Sequence, residues 1–151
     1  MSKITTVYDT LLTICSTIFS EKTRLFDAYS IGDNPEHIMR DGYGVRKTGS
    51  DFERAELCQF SDNHGFEVVL TREVVHGEDQ TGPIDDSVKA ILEDAFELRE
   101  RVYRYDEWGI DSTITHADLG SVSGVERVNV GHGRFITVSI AFTVTVTENF
   151  N

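Results

Sequence analysis

The chain has 151 residues, a length that fits one domain. Apolar residues make up 39% and charged residues 26%, enough to bury a core and to exclude disorder throughout. Acids outnumber bases 26 to 14, for a net charge of −12, which excludes a surface that grips nucleic acid through clustered Lys and Arg.

The start, Met-Ser-Lys-Ile-Thr-Thr, has no basic stretch leading into an apolar run, so no secretory signal is expected. No stretch approaches the ~20 apolar residues of a membrane span, so no membrane partner is expected. Ile4, Val7, Leu11, Ile14 and Ile18 step by three and four and predict a helix over residues 4–19. Tyr8, Leu12, Cys15 and Phe19 widen that stripe, so the helix should pack on more than one neighbour. Residues 20–42 read as irregular, punctuated by Gly32, Asn34 and Pro35, with a short helical turn around Glu36–Arg40.

Three strands are expected next, at Tyr43–Lys47, Glu53–Phe60 and Phe66–Val75. Thr48-Gly-Ser-Asp51 and Ser61-Asp-Asn-His-Gly65 are the turns expected between them. Phe66, Val68 and Leu70 share one face, and Val69 and Val75 the other. A polar loop, His76–Gly82, leads to a second helix, whose seam is Ile84, Val88, Ile91, Ala95, Leu98 and Val102. Asp85 and Asp86 at its start and Arg99, Arg101 and Arg104 at its end suit the helix dipole. Tyr105, Trp108, Ile110 and Ile114 should be partly buried, but no period decides their structure.

The last third predicts a hairpin. Val122–Val130 is one strand, Gly131-His-Gly133 the turn, and Phe135–Thr147 a long strand. Ile136, Val138, Ile140, Phe142, Val144 and Val146 give that strand a buried face, while its other face is small and uncharged. The fold class is therefore α+β. A mainly antiparallel sheet of about five strands carries two main helices on one face, in the order helix, three strands, helix, two-stranded hairpin. Residues 1–151 read as a single domain, with 20–56 an extended loop and hairpin region.

Chemical motifs are few. Cys15 and Cys58 sit in apolar contexts far apart and read as two buried thiols. The five histidines have no metal-ligand spacing, Gly42-Tyr-Gly44 is a poor match to a phosphate cradle, and no nucleophile motif is present. The expectation is thus no catalytic residue, no metal and no cofactor. Charge is more informative. Residues 76–100 hold eight acids and two bases, half of the net charge, while residues 119–147 hold only Glu126, Arg127 and Arg134. An acidic helix beside a nearly neutral sheet suits a subunit of an assembly.

The stretches Arg24-Leu-Phe-Asp-Ala-Tyr-Ser-Ile-Gly-Asp-Asn-Pro35, Asp41-Gly-Tyr-Gly-Val45 and Phe66-Glu-Val-Val-Leu-Thr-Arg72 resemble tail-terminator and tail-completion (neck) proteins of tailed bacteriophages. So do Gly120-Ser-Val-Ser-Gly124 and the closing Thr-Val-Thr-Glu run, together with the element order. The resemblance implies a structural virion protein of the tail or neck, not an enzyme, assembled in the host cytoplasm. Such proteins form rings, commonly hexameric, on the head-proximal end of the tail tube. Their partners are further copies of themselves, the tail tube protein and the head connector. They stop tube polymerisation, and DNA later passes through without specific binding; an acidic lumen would repel its phosphates.

On this reading Glu78, Asp79, Asp85 and Asp86 border the lumen or an exposed rim. Phe135, Thr137, Ser139, Thr143 and Thr145 of the long strand contribute to subunit contacts, as does the loop Gly42–Phe52. Arg40, Arg46, Lys47 and Arg54 form the densest basic cluster and either pair with a neighbour's acids or are ordinary surface charge. Two alternatives stand beside it. The −12 charge also suits an acidic DNA mimic or inhibitor, and the α+β scaffold also suits a small-ligand-binding module.

Overall fold

The first apolar stripe forms α1, Lys3–Ile18, with Val7, Leu11, Ile14 and Cys15 buried. Its exposed face is largely threonine, a middling helix former. Thr10, Thr13 and Thr17 turn their hydroxyls back onto the carbonyls of Thr6, Asp9 and Thr13, so the polar face closes on the helix itself. These observations come from a computed structural model that describes residues 3–74, 84–104, 114–118 and 120–149.

Among the described residues seven strands form one sheet, mainly antiparallel. They are β1 (Thr23–Arg24), β2 (Asp41–Glu56), β3 (Gln59–Glu73), β4 (Ile114–Ala117), β5 (Ser121–Val122), β6 (Glu126–Val130) and β7 (Gly133–Asn149). Among the described residues the other α-helices are α2 (Glu36–Met39) and α3 (Asp85–Arg104), and a short 3-10 turn spans Ile31–Asp33. The chain is α+β, as the alternating patterns predict.

The central element is β7. Along one edge it pairs with β3 from Phe135↔Glu73 to Asn149↔Gln59. Along the other edge β6, β5 and β4 follow one another antiparallel to it, as one strand interrupted twice. Beyond β3 lies β2, and β1 adds a short parallel pairing at Thr23↔Gly42. The expected partner strand Val122–Val130 is thus broken between β5 and β6, and the expected five strands are seven.

One face of the sheet carries both long helices. Tyr43, Val45, Phe66, Val68 and Leu70 join the six apolar residues of β7, Ile136 to Val146, in a single core with Val7, Leu11, Ile91, Ala95, Leu98 and Val102 of α1 and α3. Each large side chain buried there contributes about 1.5–3 kcal/mol. The opposite face holds a smaller core of Leu25, Ile38, Met39 and Phe135, built by the segment read as irregular. That segment approaches the sheet closely at Gly44, where an added Cβ would lie 2.7 Å from the Ala28 Cβ. Asn34 locks it from within: its amide nitrogen donates to the carbonyls of Asp27 and Ile31, and its Oδ1 accepts from the Asp27 N–H.

The main departure concerns the meander. Neither expected turn forms. Residues 48–51 stay in β2, with a register shift between Lys47 and Ser50, and residues 61–65 lie within β3. The hairpin instead closes at Leu57–Cys58. Cross-strand side chains override the turn propensities of Ser61 and Asn63: Ser61 Oγ bonds Thr147 Oγ1 at 2.8 Å, and Thr145 Oγ1 donates to Asn63 Oδ1 at 2.6 Å. Cys58 is accordingly exposed rather than buried, while Cys15 is buried and its thiol pKa is pushed up to about 12 by burial.

Candidate functional site

The distal part of the β2–β3 hairpin ends in a tip of exposed apolar side chains. Phe52 is 66% and Leu57 95% exposed. Cys58 at the apex has φ +63, a left-handed conformation uncommon for residues other than glycine. The β2 strand of this hairpin forms the edge of the sheet, while β3 is backed by the end of β7.

At the base of the tip a short polar chain holds the register shift. Lys47 Nζ donates to the carbonyls of Thr48 (2.5 Å) and Gly49 (2.8 Å) and to Ser50 Oγ (2.9 Å). An ammonium only donates, so Ser50 Oγ accepts there, and it shares a further hydrogen bond with His64 Nδ1 at 2.8 Å. A Ser–His pair also serves nucleophilic catalysis; here the ammonium ties the hydroxyl into the irregular strand.

Burial lowers the His64 pKa, the charge of Lys47 lowers it further, and Asp62 and Glu148 oppose both. A depressed pKa means that the unfolded chain binds the proton more readily. This part of the stability is present above the ordinary histidine value, near 6.5, and is lost as pH falls through the folded value. We expect the urea midpoint to fall from pH 7.5 to pH 5.0 and the fall to be smaller in His64→Gln. Equal falls in the two proteins would remove His64 from the account.

The basic cluster does not form one patch. Successive strand residues point to opposite faces. Arg46 lies on the face away from the long helices, bonded to Glu67 at 2.5 Å and to the Ala28 carbonyl at 3.3 Å. Lys47 lies on the helix face, its ammonium 5.5 Å from the Phe66 ring centre. Arg40 is exposed and 3.8 Å from Glu73, and Arg54 falls in the distal part of β2, in register with Ser61.

The long-strand candidates also divide. Phe135 belongs to the smaller core and Thr137 is buried beside it, so neither offers a surface to a neighbour. The reason is the segment 25–39, which covers that end of the outer face. Further along β7, Ser139 and Thr145 are half-buried and Thr143 is exposed, leaving this part for contact.

Of the acids, Asp85 and Asp86 are exposed in the first turn of α3. Glu78 and Asp79 lie outside the described residues. Asp94, expected on the acidic face, is engaged within the subunit. The nearly buried ammonium of Lys22 bonds Asp41 and reaches Asp94 Oδ2 at 2.9 Å, while standing 5.3 Å from the Phe19 ring centre. A cleft lined by Ile18, Phe19, Asp41, Arg72 and Asp94 opens beside it. Sequence spacing carried no signal for this bridge, which joins residues 22, 41 and 94.

Along α3, Phe96 is 50% and Tyr103 59% exposed, two turns apart. The Arg99 guanidinium stands over the Phe96 ring, 5.0 Å from its centre. Among the described residues no group of three or more His, Cys, Asp and Glu is placed to hold a metal ion, and no helix is long and apolar enough to cross a membrane. No protein-family model matches the chain, and no curated protein matches it.

Proposed function

We propose that this chain is a structural subunit that assembles into a ring, acting as a tail terminator on the head-proximal end of a phage tail tube. The observation that carries the reading is the set of large apolar side chains exposed on separate elements: Phe52 and Leu57 on the hairpin, Phe96 and Tyr103 on α3, and Phe26 and Tyr29 in the segment before α2. Large apolar groups left in water on an otherwise well-buried fold mark contact surfaces. A head-to-tail ring needs two unlike patches on each subunit. The exposed Asp85 and Asp86, with the acids further along α3, supply negative charge past which DNA slides without being held.

In this role the subunit caps the tube and meets the head connector, with no chemistry to perform. The test is polymerisation of the tail tube protein of the same phage, with and without this chain. Tubes that stop growing and carry a ring at one end support the reading. Tubes of unchanged length with bare ends overturn it.

A further inference from the structure

We propose that the hairpin tip of one copy seats on the C-terminal half of α3 of the next copy; this inference rests on the ring reading above. The two surfaces match in apolar character. Leu57 is 95% exposed at the apex and Phe52 66% exposed further down β2, and Phe96 and Tyr103 line one stripe of α3. Their charges are complementary. Residues 51–56 carry three acids and one base, whereas residues 99–104 carry three bases and one acid.

Each surface also has the composition of a binding hot spot. Aromatic side chains flanked by arginine dominate the energetics of many interfaces, and the Arg99 guanidinium already stands 5.0 Å from the Phe96 ring centre. Leu57 would cover that stripe, and the acidic sequence before it suits the basic end of α3. Such charges steer encounter and fix register more than they add affinity. The contact is heterologous, since tip meets helix and not tip, so it propagates around a ring with both surfaces of every copy used.

The native thiols make the contact testable. Cys58 stands exposed at the apex beside Leu57, and Cys15 is buried with its thiol pKa raised to about 12, so only Cys58 reacts in the folded protein. Glu100→Cys places a second thiol on α3 between Phe96 and Tyr103, at the cost of one exposed pair with Arg104. Mild oxidation of the full-length variant is expected to give a denaturation-resistant ladder from dimer to the full ring, absent from the parent protein. Arg99→Glu, at the arginine that stands against Phe96, is expected to raise the half-assembly concentration at least tenfold with a nearly unchanged melting temperature.

Rings without the ladder would overturn this contact and leave the ring reading standing. A dimer formed equally by the parent protein, through Cys58 on both sides, would show tip-to-tip packing and overturn it too. A protein that never assembles overturns both.

Discussion

Replacing Lys22 by methionine is expected to lower the unfolding free energy by about 2–3 kcal/mol. The ammonium side chain is only 6% exposed, yet it answers two carboxylates on different elements, Asp41 at the start of β2 and Asp94 in the middle of α3. Methionine keeps most of the apolar stem over Phe19 but leaves the two acids facing each other. Removing one partner from a fully buried pair costs about 3–5 kcal/mol; the carboxylates here retain some water, at 44% and 26% exposure, which reduces the figure. The double replacement of Asp41 and Asp94 by Asn in the methionine background should recover part of the loss. Urea midpoints at constant slope measure both. A change below about 1 kcal/mol in Lys22→Met would show that the bridge is a surface ion pair in energetic terms.

Phe142→Ala is expected to cost more, about 3–5 kcal/mol. Phe142 is 2% exposed at the centre of β7 and pairs directly with fully buried Phe66 on β3. On its other side the backbone of Gly120 lies against the ring: a Cβ there would stand 2.6 Å from Phe142 Cε1, and φ at Gly120 is +82. The ring therefore supports the chain between β4 and β5, and its loss leaves a cavity that a closely approaching backbone cannot fill without leaving the edge of the sheet. Phe142→Leu should cost roughly half as much, because a smaller void remains. Hydrogen exchange should show the first loss of protection at Val122, which pairs with Ile140. A stability change under about 2 kcal/mol in the alanine variant would contradict the packing described.

The elements legible in the sequence were those whose pattern is strong and local. The steps of three and four in Ile4–Ile18 and Ile84–Val102 gave α1 and α3, and the strict alternation of Ile136–Val146 gave β7. Gly131–His132 formed the turn its residues predict. The hairpin was misplaced because Ser61, Asn63 and Gly65 favour turns only when nothing pairs with them. Here β7 runs alongside, and Thr145 and Thr147 take up their polar groups. No local rule anticipates a partner more than eighty residues away.

The candidate surfaces were less legible for the same reason. Phe135 and Thr137 read as outward-facing, and they do leave the main core, but Leu25, Ile38 and Met39 fold over them from a segment with no period of its own. The charge count of residues 76–100 placed acids on α3, yet composition could not separate Asp94, bound to Lys22, from exposed Asp85 and Asp86. The sequence does separate the acidic start of that helix from its basic end, but not the exposure of Phe96 and Tyr103 there. Leu57 reads as part of a strand Glu53–Phe60 and Phe52 as the end of a loop, whereas the true hairpin register places Leu57 at the apex and Phe52 along β2 opposite Asp62.

Negative-stain electron microscopy of the purified chain tests the central claim most directly. The account predicts closed rings with a central hole, six subunits and a mass of about 100 kDa. Single compact particles at every concentration, with the mass of one chain, would contradict it.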